Sequence, residues 1–360
     1  MRNDLFPRWL ATRLWLTTGH DLYSPATDDA IRAAMGTPPL GGDTFVFGFV
    51  YPAYVALLLA PLAVLPFRAA ATFWLLTIQL GAVGGALLAW RAYERERGLP
   101  TASPLPALVT AALLPAAVLN LIFLQLSALV FGALAGCWWL LAQRSETRAA
   151  AALLVTAVKP QLALLPAVAL LIRATREARW RFVAPAIGGA LALTAVSLAL
   201  FPAWIERFSA SAQAYAGVAR PTSAATLLTG GVWWGAVVGT FVTALVSVAW
   251  LRSARLTGES LGAAALLAVW LVPPLYEWNN VVLLLVLVPA LRVLSVPARW
   301  IAALGCVVAA LLTFGLMTLR PSESRLIWPA IALAVYLAAS RRGSHKLTSS
   351  APAPSVAVRT

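Results

Sequence analysis

Acidic side chains are concentrated at the start of this 360-residue chain, and their position is the first sign of chemistry. All five aspartates lie within the first 43 residues, whereas the glutamates are scattered over the remaining length; the aspartates are Asp4, Asp21, Asp28, Asp29 and Asp43. A carboxylate can act as a general base, so a group of them directly before a series of long apolar segments predicts a reaction site at a membrane surface. The adjacent pair Asp28 and Asp29 is far more typical of a solvated loop or a helix start than of a metal site.

Lys159 is the second residue whose chemistry stands out. It is the only lysine before Lys346, and it lies in the middle of a long apolar run. A charge in such a segment is costly and usually faces a polar cavity, and the following Pro160 bends the helix and frees a backbone carbonyl. We expect Lys159 to contact an anionic group such as a phosphate. The alternatives are a structural partner for Gln125 or a side chain that extends to the membrane surface.

The composition indicates which elements must position these residues. The chain is 61% hydrophobic and only 11% charged, and its mean hydropathy is +0.82. Its apolar runs are about 17 to 25 residues long, which is the length that crosses a hydrocarbon core. The sequence therefore predicts an all-α, polytopic membrane protein with about 11 transmembrane helices. Its candidate helices are 47–66, 69–90, 104–119, 121–142, 149–172, 182–202, 231–251, 259–275, 277–296, 299–319 and 325–340.

The remaining composition excludes several classes of site. The net charge of +14 comes mostly from arginines at helix ends, a pattern that fixes membrane orientation and favours anionic lipids as partners rather than nucleic acid. Cys137 and Cys306 both lie within apolar helices, so we expect neither a disulfide nor a metal pair. His20 and His345 are the only histidines, which excludes a histidine-based metal site.

Three regions follow from the pattern. Residues 1–46 are predicted to be an external first loop, in which 5–16 form a short amphipathic helix at the membrane interface with Arg8 and Arg13 as cationic anchors. A loop with turns is expected over 17–44. Residues 47–340 are the transmembrane domain, and 341–360 are a disordered cytoplasmic tail.

The arginine clusters predict the topology. The strongest block, 173–181, is expected in the cytoplasm together with 292–299 and the C-terminal tail. Counting single helices from there places 1–46, 91–97, 143–148 and 203–230 outside. A re-entrant pair over 149–158 and 161–172 would bring Lys159 nearer the surface. It would also place the segments that precede it on the opposite side of the membrane.

Short motifs along the chain occur in a recognisable order. They are Asp4-Leu5-Phe6, Asp21-Leu22-Tyr23-Ser24-Pro25, Phe49-Val50-Tyr51-Pro52, Ala60-Pro61-Leu62, Leu65-Pro66-Phe67, Leu124-Gln125-Leu126-Ser127, Lys159-Pro160-Gln161 and Tyr276-Glu277-Trp278-Asn279-Asn280. In this order and spacing they resemble glycosyltransferase family 87, whose members are membrane enzymes of the mannosyltransferase type that use polyprenyl-phosphate sugars. The resemblance covers most of the chain, and order and spacing carry it more than any one motif does.

The resemblance implies a GT-C fold and the transfer of a hexose, with mannose expected, from a polyprenyl-phosphate donor to a lipid or glycan acceptor. The reaction would take place at the outer face of the plasma membrane with inversion at the anomeric carbon. The resemblance also implies that Asp4 is the catalytic base, because family members deliver an aspartate to the first external loop. They normally do so after a transmembrane helix, so we expect a helix upstream of the present start. No cofactor or metal is expected.

Further residues are predicted to bind substrate: Asp21, Tyr23, Tyr51, Gln125, Lys159, Gln161, Arg207, Arg220, Tyr276, Glu277, Asn279 and Asn280. Cationic side chains suit the departing phosphate, and either Arg207 or Arg220 in the loop 203–230 is expected to reach it. The amide and carboxylate groups of 276–280 suit sugar hydroxyls, and helix capping beside an aromatic belt explains them equally well.

Two other classes of protein stay open from the sequence. A lipid or solute transporter would often show internal repeats with matching broken helices, but the chain has one clear Lys-Pro break and no second copy. A non-catalytic or truncated membrane protein is the other alternative, since the expected first helix is missing. Substituting Asp4 would inactivate a transferase and leave a scaffold unaffected.

Overall fold

The protein is helical throughout its described part, as the sequence predicts. The computed structural model describes residues 3–36, 48–219, 223–229, 232–253, 257–272, 276–319 and 321–348, and every regular element in these ranges is a helix. The first nine helices are α1 (Leu5–Thr18), α2 (Pro25–Met35), α3 (Tyr54–Ala63), α4 (Phe67–Gln79), α5 (Gly85–Glu96), α6 (Leu105–Leu113), α7 (Pro115–Phe123), α8 (Ser127–Ala142) and α9 (Glu146–Val155). The others are α10 (Pro160–Arg176), α11 (Trp180–Leu200), α12 (Trp204–Ala219), α13 (Ala224–Thr229), α14 (Val232–Ser253), α15 (Thr257–Leu271), α16 (Leu284–Val293), α17 (Val296–Leu319) and α18 (Pro321–Thr348).

Several helices have the length and composition of membrane spans. In the described ranges these are the continuous rod Phe67–Glu96 and the helices Trp180–Leu200 and Val296–Leu319, and the bent pair α6 and α7 qualifies if it is counted as one span. Their outer faces expose large apolar side chains, such as Leu191 at 66% and Ile301 at 72%. Water would not favour such surfaces, whereas lipid tails do. The chain is a polytopic helical membrane protein.

One end of the helix bundle carries most of the arginines, and we call it the arginine end. Arg95 donates to the carbonyl of Ala142, Arg97 pairs with Glu259, and Arg181 lines a polar cavity together with residues 143–148. Buried Glu94 accepts from Arg292 at 2.8 Å. The ends of α5, α8, α10, α15 and α16 therefore gather here. We call the opposite end, where α8 and α10 begin, the network end.

This arrangement corrects the predicted topology. Segments 91–97 and 143–148 were expected opposite the 173–181 block, yet they lie at the same end of the molecule. The cause is the break at Lys159, whose φ of −140° and ψ of 75° are not helical. Pro160 begins α10 because it lacks a backbone N–H, so the predicted helix 149–172 becomes two helices, α9 and α10, that run in opposite directions. The chain reaches the network end at Lys159 and returns, as the re-entrant alternative anticipated.

Other predicted helices are shorter or broken. The segment 47–66 contains only α3, and ten residues extend about 15 Å, which is half of a hydrocarbon core. Helix α3 stays at the network end against α1, where Trp9 donates to the carbonyl of Leu62. The segment 104–119 is wrong as one helix, because Leu114 precedes Pro115 and adopts an extended backbone that bends the axis by 52°.

Two predicted loops and the predicted C-terminal tail contain helices. The loop 17–44 includes α2, which begins in an N-cap hydrogen bond from the backbone N–H of Thr27 to Ser24 Oγ. The loop 203–230 is mostly α12 and α13. Helix α18 continues to Thr348, so the expected tail 341–360 starts as a helix, and residues 349–360 lie outside the described ranges, as does Asp43.

Small residues let the long rod pack closely against α8. The rod continues through the π-helical turn Leu80–Gly84. A Cβ atom added to Gly81 would lie 2.6 Å from the carbonyl oxygen of Ala128, and one added to Gly132 would lie 2.8 Å from the Gly81 Cα. Both neighbours are backbone atoms that cannot rotate away. Close approach of this kind is typical of helix pairs in membranes.

We predict that Gly81→Ala lowers the unfolding temperature of the detergent-solubilised protein, because the added methyl group forces α8 away at a cost of about 1–3 kcal/mol. Gly84→Ala is the matched control, since a Cβ atom there meets nothing within 4 Å in the same helical turn. Equal thermal unfolding of the two variants would contradict this packing.

Candidate active site

The turn between α7 and α8 begins the site. Leu124 has a φ of +54°, which ends α7 abruptly and leaves Gln125 and Leu126 outside regular helix. The side chain of Asn120 holds this turn through two hydrogen bonds. Its Oδ1 accepts from the backbone N–H of Ala128 at 3.0 Å, and its Nδ2 donates to the carbonyl of Trp278 at 2.8 Å. One buried amide thus joins the start of α8 to the segment before α16.

Lys159 lies at the centre of a buried polar network. Its Nζ donates to Ser127 Oγ at 2.7 Å, to Asn279 Oδ1 at 2.9 Å and to Gln125 Oε1 at 3.3 Å. Only 3% of the lysine is exposed, so these three acceptors replace the water that the ammonium loses. Ser127 also donates to Asn279 Oδ1 at 3.0 Å, which completes the ring of contacts. The structure therefore brings together three predicted residues, Lys159, Gln125 and Asn279.

Gln125 connects this network to Asp4. Its Nε2 donates to Asp4 Oδ2, while its Oε1 accepts from Lys159. The backbone N–H of Asp4 donates to the carbonyl of Phe123 at 3.0 Å, which holds the start of α1 against the α7–α8 turn. The Asp4 side chain is 44% exposed, in contrast to its buried neighbours. The side-chain amide of Gln125 thus connects the exposed carboxylate of Asp4 to the buried ammonium of Lys159.

Arg8 and two tyrosines form the other wall of the site. Arg8 is only 5% exposed, lies 3.6 Å from the Asp4 carboxylate and donates from Nη2 to the hydroxyl of Tyr51 at 2.6 Å. Tyr23 donates to the carbonyl of Tyr51 at 2.6 Å. Burial raises the pKa of Tyr51, against the opposing effect of the Arg8 guanidinium, so its phenol keeps a proton that it can donate. Arg8 was expected to anchor α1 at the membrane surface, and that expectation is wrong because its guanidinium points into the site.

Two predicted residues form a separate contact. Asp21 Oδ2 accepts from Arg207 of α12, and Asp21 Oδ1 accepts from the backbone N–H of Tyr23 at 2.8 Å. Arg207 thus fastens α12 to the segment before α2. Gln161 is half-buried in the first turn of α10, and Arg220 lies outside the described residues.

The predicted turn 276–280 divides into two parts. The rings of Tyr276 and Trp278 stack with centroids 4.6 Å apart. Glu277 accepts from Ser324 at 3.2 Å and pairs with Arg325 at 3.4 Å. Asn280 contacts the carbonyl of Arg325 at 3.5 Å. Glu277 and Asn280 therefore hold α18, while Asn279, on the short 3-10 helix Glu277–Leu283, turns toward Lys159.

Sequence reasoning missed four residues that the structure places in or beside the site: Arg8 as a buried group, Ser127, Asn120 and Arg325. Arg8 follows Asp4 by one helical turn, and that spacing is the signal that could have found it. Asn120 is an amide within an apolar run, which is a usual sign of a buried contact. No three of the His, Cys, Asp and Glu side chains in the described ranges lie close enough together to hold a metal ion.

The arrangement combines two chemical abilities. The exposed Asp4 carboxylate can take a proton from a hydroxyl group that approaches from outside. Helices α8 and α10 both begin at this network without a side-chain cap, and the positive ends of helix dipoles favour a negative charge. Together with Lys159 and Arg8, these two helix starts can stabilise a negative charge that develops during a reaction.

We predict that Asn279→Leu destabilises the protein by about 1–3 kcal/mol, because the buried ammonium of Lys159 and the hydroxyl of Ser127 both lose an acceptor. Asn279→Asp is the control, since it keeps an oxygen at this position and adds a charge that suits Lys159. Chemical denaturation in detergent measures both. A leucine variant as stable as the aspartate variant would exclude a stabilising role for this contact.

A model of a known protein family matches the chain over part of the site. Residues 49–276 match the model of glycosyltransferase family 87. This range includes Tyr51, Gln125 and Lys159, and it leaves Asp4 and Asn279 outside. No curated protein and no solved structure matches the chain. Because the match covers more than half of the sequence, the chain belongs to glycosyltransferase family 87, and it is a membrane glycosyltransferase by family.

Proposed function

We propose that this protein transfers a hexose, with mannose as the first sugar to test, from a polyprenyl-phosphate donor to a lipid or glycan acceptor. The observation that carries the proposal is the single amide of Gln125, which contacts the exposed Asp4 carboxylate with one atom and the buried Lys159 ammonium with the other. A base and a cation at this spacing suit a reaction that removes a proton on one side of a sugar carbon and releases phosphate on the other.

The proposed reaction is a single displacement with inversion. Asp4 takes the proton of the acceptor hydroxyl, whose oxygen forms a bond to the anomeric carbon. The bond from that carbon to the phosphate oxygen breaks at the same time, and its electron pair stays on the phosphate. The charge on the leaving group then grows from one to two, and Lys159 and the starts of α8 and α10 stabilise it.

The other predicted residues take supporting roles in this proposal. Tyr51 remains protonated, so it can donate a hydrogen bond to a sugar or phosphate oxygen but does not act as the base. The stacked pair Tyr276 and Trp278 lies beside the network through contact of Trp278 with Phe123 and offers a flat apolar surface to a sugar ring. Tyr23 and Asp21 hold the Tyr51 segment and α12 in place, and Gln161 lies beside Lys159.

The orientation of the site follows from the arginine end. Arginine-rich loops are retained in the cytoplasm, so the opposite, network end would face outward across the plasma membrane. This proposal agrees with the expectation from the sequence that 1–46 lies outside. Segments 91–97 and 143–148, which were also expected outside, would then lie in the cytoplasm. Helix α1 lies along the network end, from Asp4 beside Phe123 to Trp15 beside Phe201, as a helix at the membrane interface would.

We predict that Asp4→Asn lowers the rate of sugar transfer about 100- to 10,000-fold, the usual contribution of a general base. The assay measures radiolabelled hexose moved from polyprenyl-phosphate-mannose, and from related donors, in membranes that contain the full chain. Asp29→Asn is the control, because Asp29 is 75% exposed and contacts only Arg32 of its own helix among the described residues. Transfer that survives Asp4→Asn would move the base to another carboxylate, and no transfer by the unmodified chain from any donor would favour the transporter or scaffold alternatives.

We also predict the orientation. In a background without Cys137 and Cys306, a membrane-impermeant maleimide is expected to label His20→Cys in intact cells and Thr147→Cys only after lysis. Both positions are exposed, at the network end and the arginine end respectively. The reverse labelling pattern would place the site in the cytoplasm.

A further inference from the structure

Arg8 has hydrogen-bonding capacity that the described residues do not use. Its guanidinium is buried, with Nη2 on the hydroxyl of Tyr51, but Nη1 has no hydrogen-bond partner among the described residues. A buried donor without a partner costs about 1–3 kcal/mol, and more for a charged group. Arg13, one and a half turns further along α1, has no such vacancy: its Nη1 donates to the carbonyls of Ala63 and Leu65.

The surroundings of Arg8 also favour an anion. The basic side chain of Lys159 is within electrostatic range of Arg8, and both side chains already donate to neutral oxygens, contacts that satisfy hydrogen bonds without cancelling charge. The permanent positive charge of the Arg8 guanidinium lies beside the starts of α1, α8 and α10, whose dipoles add to it. Such surroundings favour an additional anion.

We propose that Arg8 and Lys159 together form a phosphate subsite, in which Arg8 Nη1 donates directly to a phosphate oxygen of a lipid-linked ligand. A phosphodiester carries one negative charge that suits the Arg8 guanidinium, and the monoester released by transfer carries about two. The cation–π contact of Arg8 with the Tyr51 ring, at 4.2 Å, fixes the guanidinium plane and so directs Nη1. The identity of the ligand as a donor rests on the proposed function, whereas the anion subsite itself does not.

The phosphate ligand has two possible sources, a lipid headgroup and free phosphate, and the geometry favours the lipid. Asp4 and Arg8 lie on α1, which runs along the network end where a membrane surface would be. A lipid tail would stay in the membrane while its phosphate enters between α1 and the α7–α8 turn. Free phosphate would need no such position.

The test measures binding of three probes to the full chain in detergent: polyprenyl monophosphate, the corresponding neutral polyprenol, and inorganic phosphate. Arg8→Gln is expected to weaken binding of polyprenyl monophosphate about 10- to 100-fold, as loss of a charged hydrogen bond does. Arg13→Gln is the matched control on the same helix and should leave this affinity unchanged. Arg8→Lys keeps the charge but lacks the planar guanidinium whose two nitrogens can contact Tyr51 and a phosphate at once. It should give an intermediate loss, and it decides the result if Arg8→Gln does not fold.

Asp4→Asn provides a result of opposite sign. It removes the carboxylate that lies 3.6 Å from Arg8, so polyprenyl monophosphate should bind more tightly even though sugar transfer is lost. An Arg8→Gln protein that is folded and binds this lipid as the unmodified chain does would overturn the subsite. So would equal binding of the phosphate and the polyprenol, whereas equal, Arg8-dependent binding of inorganic phosphate would overturn the lipid assignment.

These outcomes separate the subsite from the proposed function. Arg8-dependent binding of polyprenyl monophosphate without any sugar transfer supports the subsite and rejects the transferase proposal. Sugar transfer that is unchanged in Arg8→Gln, in both kcat and KM, rejects the subsite and supports the transferase.

Discussion

The ammonium of Lys159 and its three acceptors are the interaction on which the rest of the site depends. A buried cation without such partners would be far too costly, so the segments that carry Gln125, Ser127 and Asn279 must meet at one place. Each of these segments leaves regular α-helix at that point: after Phe123, at Lys159 itself, and in the 3-10 turn before α16. The breaks in the helices are therefore the means by which side-chain and backbone groups can face a common centre.

The site joins two parts of different character. The buried network belongs largely to the region shared with the family, and the side-chain nitrogen of Lys159 makes three hydrogen bonds there. Helix α1 lies across this network and contributes the exposed carboxylate and the partly unpaired guanidinium. Helix α1 is attached by the Asp4 backbone on Phe123 and the amide of Gln125, and further along by Trp9 on Leu62 and Arg13 on Ala63 and Leu65. Contacts with α3 and with the α7–α8 turn therefore position the carboxylate and the guanidinium over the network.

The sequence was a good guide wherever a single residue dominated its surroundings. Lys159 predicted a polar environment inside an apolar run, and long apolar runs predicted the helical membrane domain, because hydrophobic length and charge burial act locally. The break at Lys159 was only the alternative to a single helix 149–172. The sequence was a poor guide to helix ends. Nothing in the run 104–123 other than Pro115 marks the bend at Leu114, and α12 looks like a loop because its polar face meets Asp21, far away in sequence. Arg8 looked like a surface anchor since Tyr51, the residue whose hydroxyl it contacts, is 43 positions away and reaches it only through the tertiary fold.

The distance along the chain between Lys159 and Asn279 has a consequence for biosynthesis. The two residues are separated by 120 positions, so α9 and α10 are made well before the last acceptor of the ammonium exists. Until the 3-10 turn emerges from the ribosome, Lys159 has Gln125 and Ser127 but no Asn279 as an acceptor. We therefore expect the site to be completed late in synthesis, and chains that stop before residue 279 to lack one of the three groups that hold the ammonium.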